Sequence, residues 1–240
     1  MTRFFAEPKD IYDNEIQLCA EDAEHIRALR LRPDELFVVC DSAGSDHICR
    51  LGRSVNDVAE IVETRLSRGE PSVECSVYIA LAKGDRLEYA VQKSVELGAS
   101  DIKLFLSERC VSKPGDITKK NARLQKIALE AAKQCGRGRI PNVMAILSYT
   151  SAIMQAASAG LPLFLYEFEN NLHLKEALEQ TEKARTISIV TGPEGGFEPH
   201  EAEIAKSSGM VSVTLGPRVL RCETAPVAAL AAVMFHTGNL

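Results

Sequence analysis

"TISIVTGPEGGFEPHEAEIAKSS", Thr186 to Ser208, runs from an apolar β-prone segment through a glycine-proline loop into a charged helical pattern. Thr186–Val190 is apolar on alternate positions and β-branched throughout most of its length, as a buried strand requires. It stops at Gly192, Pro193, Gly195 and Gly196. From Pro199 the spacing predicts a helix to Ser208, so strand and helix are joined by a loop bare of side chains. Glycine lets a ligand approach the backbone, and N–H groups ahead of a helix suit an electron-rich partner.

Working outward, the same strand-helix alternation recurs. Residues 73–82 are apolar on both faces, which predicts a strand covered on both sides. Asp85 and Glu88 have capping-box spacing at the head of a helix striped by Leu87, Ala90, Val91, Ser94 and Val95, and Gly98 stands where a C′ glycine belongs. Strands are expected at 102–106, 163–166 and 211–215, and helices at 118–134, 148–160, 174–183 and 224–236. This alternation predicts an α/β fold with a mostly parallel sheet, whose ligands sit beyond the carboxyl ends of the strands.

Residues 1–70 have a different texture. Phe37–Cys40, a turn at 41–45 and a return over 47–52 predict a hairpin; 58–65 predicts another strand, and 21–31 a helix. The polar stretch 67–71 marks a boundary, giving domains 1–70 and 73–240.

Composition narrows the classes. No apolar run approaches a membrane span, and the start lacks the apolar core of a signal peptide, so a cytoplasmic protein without membrane contact is expected. Seven scattered cysteines without a C-x-x-C pair support neither a disulfide framework nor a metal site. The net charge of −5 argues against a protein that coats nucleic acid, though not against a local basic patch.

Three strand-end loops carry the candidate chemistry: Leu165 and Glu167; Thr191, Gly192, Pro193, Glu194, Gly195 and Gly196; and Leu215, Gly216, Arg218, Leu220, Arg221, Thr224 and Ala225. The second lacks the lysine and hydroxyl of a phosphate-binding P-loop and the spacing of a dinucleotide fingerprint. Its carboxylates would repel phosphate and suit a cationic cofactor, S-adenosylmethionine, with a tight surface turn as the other reading. Arg27, Arg30, Arg32, Lys83, Arg86, Arg109, Lys113, Arg123, Gln134 and Arg137 form a candidate RNA-contact set; for those of residues 119–133 a solvated helix face is the simpler reading.

Several segments in order carry a family resemblance. Residues 79–88 with Lys93, Glu96, Leu97 and Gly98, "ERCV" at 108–111, "EAAKQCGR" at 130–137, "TGPEGGF" at 191–197 and "LGPRVLRCETA" at 215–225 resemble the RsmE family. These are methyltransferases acting on uridine N3 of 16S ribosomal RNA. The resemblance implies a SPOUT-type α/β domain with a C-terminal trefoil knot over roughly 161–240, a PUA-like RNA-binding β-barrel over 1–70, and a homodimer. It implies S-adenosylmethionine on the three loops and 16S RNA in the small subunit as partner. Arg221 is then the candidate for stabilising charge on the base, with Arg218 beside it and Glu194 as proton acceptor; solvent is the alternative acceptor. Glu223 is either an acceptor or a helix cap. The family usually has Ser or Thr at Cys110, Cys135 and Cys222.

Overall fold

The computed structural model describes residues 1–32, 34–52, 57–112, 116–180 and 184–240. The chain divides into two compact units, 1–70 with 132–140, and 71–131 with 141–240.

The first unit is built on a five-stranded sheet in the order β1-β3-β4-β5-β2: β1 Arg3–Phe5, β2 Glu15–Gln17, β3 Phe37–Cys40, β4 Ser45–Leu51 and β5 Val58–Leu66. The expected hairpin is β3–β4, antiparallel with Val39 opposite His47. Its turn closes because the Asp41 carboxylate accepts the N–H groups of Ala43, Gly44 and Ser45. Helix α1, Ala20–Leu29, starts with acidic Glu21 and Asp22 at the positive end of its dipole and ends at Arg30 in the left-handed region. Phe4, Ile16, Ile26, Phe37 and Val39 are the buried centre.

The second unit contains a six-stranded sheet in the order β11-β9-β10-β6-β7-β8, parallel at every pairing. The strands are β6 Glu74–Ala80, β7 Asp101–Leu106, β8 Asn142–Ser148, β9 Leu161–Leu165, β10 Thr186–Thr191 and β11 Val211–Val213. The connecting helices are α2 Asp85–Glu96, α3 Ile117–Cys135, α4 Tyr149–Ala156, α5 Leu174–Glu179, α6 Pro199–Ser207 and α7 Thr224–His236. Of the expected span 174–183, residues 181–183 lie outside the described residues. The apolar run 186–191 is explained by position: β10 lies between β6 and β9, so both of its faces are covered. One face packs Tyr78, Phe105, Phe164 and Val190 against α4 and α6, and α7 packs on β6, β10, α2 and α5.

Two details differ from the sequence reading. The Asp85/Glu88 capping box does not form, because the helix begins at Asp85 itself, with Gly84 as N-cap; Glu88 instead pairs with Arg123 at 2.7 Å. Strand β8 was not anticipated. It is an outer strand, and the Gln125 amide serves it in place of a further strand, donating to the Pro141 carbonyl and accepting the Val143 N–H. Gly98, at φ +95°, ends α2 as expected.

Candidate active site

Because every strand of the second sheet points the same way, the segments that follow β9, β10 and β11 emerge at one edge. There they enclose a cleft of about 530 Å3. All the expected cofactor residues line it except Thr224, whose N–H instead bonds to the Arg221 carbonyl as α7 begins.

The bareness of the β10 loop has a steric cause. The ring of Phe197 folds back beneath Gly192, where a Cβ would lie 3.0 Å from it. Gly196, at φ +70°, leaves room for the Glu167 carboxylate, which would collide with any Cβ there and which accepts the Phe197 N–H. The glycines therefore serve the loop's own packing as well as the cleft. Phe197 is fully buried among Phe105, Tyr149 and Phe164.

The loop is also fastened from the side. Arg109 makes a bidentate pair with Glu198 at 2.6 and 3.0 Å and donates to the Gly195 carbonyl at 3.1 Å. That hydrogen-bonded pair holds the Glu198 carboxyl below its usual range. Glu201, which the sequence reading passed over, is buried and accepts from the Ser107 hydroxyl and the N–H groups of Glu108 and Glu198. Its position three residues after Glu198, at N3 of α6, was the available signal.

Inside the cleft, Glu194 Oε1 accepts from the Lys83 N–H at 3.2 Å and from Arg86 at 3.4 Å. Its other oxygen, Oε2, is buried and has no hydrogen-bond partner among the described residues. A buried carboxylate oxygen left this way costs free energy that a donor or cation in the cleft would recover. Burial first, and then the bond to Glu223, push the Cys222 thiol up to about 12, so it stays protonated and donates to Glu223 Oε2 at 3.2 Å. Arg218 and Arg221 line the cleft, are exposed, and make no ion pair among the described residues. Tyr166 is half-buried and lines the cleft, as do Asn170 and Glu223.

The candidate RNA set separates. Arg27, Arg30, Arg32, Lys83, Arg86, Arg109, Arg123 and Gln134 are exposed, with Arg86 also lining the cleft; Lys113 lies outside the described residues. Arg137 must be corrected. It is 4% exposed and holds Glu70 at 2.6 Å, so its guanidinium is spent inside the first unit. Lys133, on α3, is likewise largely withdrawn from solvent, 13% exposed, against Asp22 at 2.8 Å and over the Phe4 ring.

A family model described as an RNA methyltransferase domain matches residues 69–234. Ribosomal RNA small subunit methyltransferase E of Mesomycoplasma hyopneumoniae is 32% identical over 95% of this chain and 96% of its own length. The protein of the same name from Bacillus subtilis is 32% identical over 92% and 90%. A crystal structure of a ribosomal RNA small subunit methyltransferase E from Neisseria gonorrhoeae, bound to S-adenosyl methionine, superposes with a TM-score of 0.88 at 32% identity, covering 98% of this chain and 97% of that one.

Proposed function

Because this chain belongs to the family of ribosomal RNA small subunit methyltransferase E, we propose that it methylates 16S ribosomal RNA on N3 of a uridine, using S-adenosylmethionine. The observation that carries the proposal is the cleft at the ends of β9, β10 and β11, with a buried carboxylate oxygen and two arginines that have no hydrogen-bond or ion-pair partner, respectively, among the described residues.

The residues fit the cofactor. The main chain of Thr191–Gly196 and Leu215–Arg221, with Leu165 and Ala225, would hold it, and Glu194 suits a positive ligand better than a phosphate. When bound, it supplies a methyl group on a cationic sulfur. Uridine N3 carries a proton at neutral pH and is a poor nucleophile until it is lost. Glu194, at Oε2, is our candidate acceptor on this chain, with Glu223, which also lines the cleft, as the alternative side chain. As N3 loses its proton, negative charge spreads onto the uracil carbonyl oxygens, and Arg221, with Arg218, compensates it. Arg86 and the Lys83 N–H fix the Glu194 carboxylate by its other oxygen.

The finer architecture belongs to the same proposal. A trefoil knot over 161–240 is supported by the insertion of β10 between β9 and the earlier β6. A PUA-like barrel over the first unit is supported by its largely antiparallel five-stranded sheet, and RNA contact there by exposed Arg27, Arg30 and Arg32. A homodimer is supported by α7, whose Phe235 is 74% exposed on an otherwise apolar helix. No helix among the described residues is long and apolar enough to cross a membrane, and we assign the protein to the cytoplasm, where the small ribosomal subunit is its partner.

The test is to incubate the protein with isotopically labelled S-adenosylmethionine and unmethylated small subunits, then to analyse the nucleosides by mass spectrometry. Labelled 3-methyluridine is expected. Label on another base or on ribose, or none, refutes the proposal.

A further inference from the structure

The aromatic rings of the second unit form a series leading out of the core to the edge of the cleft. Phe105 stacks on Phe197, Phe197 lies 4.5 Å from Phe164, Phe164 lies 6.0 Å from Tyr166, and Phe168 meets Tyr166 edge-on at 5.5 Å. The first three are fully buried, Tyr166 is half-buried in the cleft wall, and Phe168 is 63% exposed.

A single exposed phenylalanine needs no explanation in general. Phe168 differs in how it is held. The Glu169 N–H bonds to the Tyr166 carbonyl, the N–H groups of Asn170 and Asn171 bond to the Glu169 carboxylate, and the Asn170 amide donates to the Phe168 carbonyl. These bonds, that of Asn171 first, hold the Glu169 carboxyl below its usual range. The turn keeps the ring outside, propped by Tyr166, while Glu167 and Asn170 on either side of it line the cleft.

We propose that Phe168 is a stacking platform for an unpaired base of the RNA strand entering the cleft; this rests on the methyltransferase reading above. A base taken out of its stack loses a few kcal/mol, and an aromatic side chain restores part of that without regard to sequence. Phe168 is not among the residues that line the cleft, so we place the base against it and the cofactor within the cleft.

The chain contains no tryptophan, so Phe168→Trp creates a single fluorescent reporter at the site. The variant, saturated with S-adenosylhomocysteine, is titrated with a uridine-rich single-stranded oligonucleotide and with an abasic strand of equal length. Quenching by the first alone is expected; equal responses, or none, overturn the proposal. In steady-state assays Phe168→Ala should raise KM for small-subunit RNA roughly tenfold, leave KM for S-adenosylmethionine unchanged, and be rescued by Phe168→Tyr. An unchanged KM for RNA, or an equal rise for the cofactor, also overturns it. Should the wild-type protein itself transfer no methyl group, the functional reading fails, while the titration still reports on stacking.

Discussion

Two turns of this chain look alike as sequence: "QCGRGR" at 134–139 and "LGPRVLR" at 215–221, each carrying glycine and two arginines. In the first, the Arg137 guanidinium is closed in by Glu70, whose carboxylate also accepts the N–H groups of Gly138 and Arg139. The Arg137 carbonyl accepts from Arg3, which in turn makes a bidentate pair with Asp46. That turn is a polar plug in the first unit. In the second, Arg218 and Arg221 line a cleft and make no ion pair among the described residues, although the charge of Arg221 reaches the Glu223 carboxyl. What separates them is where the nearest unused carboxylate lies in space, and for Arg137 it comes from 67 residues earlier in the chain.

The sharpest way to break this contrast is to remove each arginine in turn. Arg137→Ala strands the mostly buried Glu70 carboxylate and should destabilise the protein by about 3 kcal/mol, toward the lower end for a broken buried pair because Glu70 keeps two N–H donors. Chemical denaturation measures it, and a stability loss under 1 kcal/mol would mean that the plug contributes little. Arg221→Ala should do the converse. Its denaturation midpoint should match the wild type, while kcat falls about 100-fold through lost charge stabilisation. Retained turnover would exclude Arg221 from the chemistry.

Acid sharpens the same contrast with a smaller effect. Burial raises the Asp46 carboxyl, but the hydrogen bond and charge of Arg3 outweigh it, and the group sits below its ordinary value of 3.8. A carboxyl lowered on folding adds stability that is present above that ordinary value and is lost as pH falls through the folded one. The wild-type protein should therefore lose stability as pH falls below about 4. Asp46→Asn should unfold with a shallower acid dependence, and parallel curves would show that the pair has no part in it.

How much of this was legible in the chain follows the same division between local and distant causes. The strand-helix alternation, the hairpin at 37–51 and the end of α2 at Gly98 were readable, because periodicity and turn chemistry are local. The glycine-proline loops at strand ends marked the cleft for the same reason. The insertion of β10 between β6 and β9 was not readable, since strand order depends on packing between segments far apart. Strand β8 escaped because an outer strand needs no strict alternation: Met144 and Ala145 are both exposed. The roles of Arg137 and Glu201 escaped because their partners, Glu70 and Ser107, are 67 and 94 residues away.

The smallest expected effect concerns Arg86, which stands between the two kinds of arginine: it lines the cleft, yet it is paired, at 3.4 Å, with Glu194. If that pair acted like the Arg137 plug, its loss would unfold the loop; if Arg86 were free like Arg221, its loss would remove a ligand contact. The geometry argues for neither extreme. Arg86 is about half exposed, so the ion pair contributes no more than about 1 kcal/mol, and Glu194 Oε1 keeps the Lys83 N–H as a second donor. Arg86→Ala should therefore lower kcat by at most about fivefold and leave the denaturation midpoint unchanged. A loss as large as that of Arg221→Ala would mean that Arg86 meets the RNA or the cofactor directly, and that the Lys83 N–H alone suffices to hold the carboxylate.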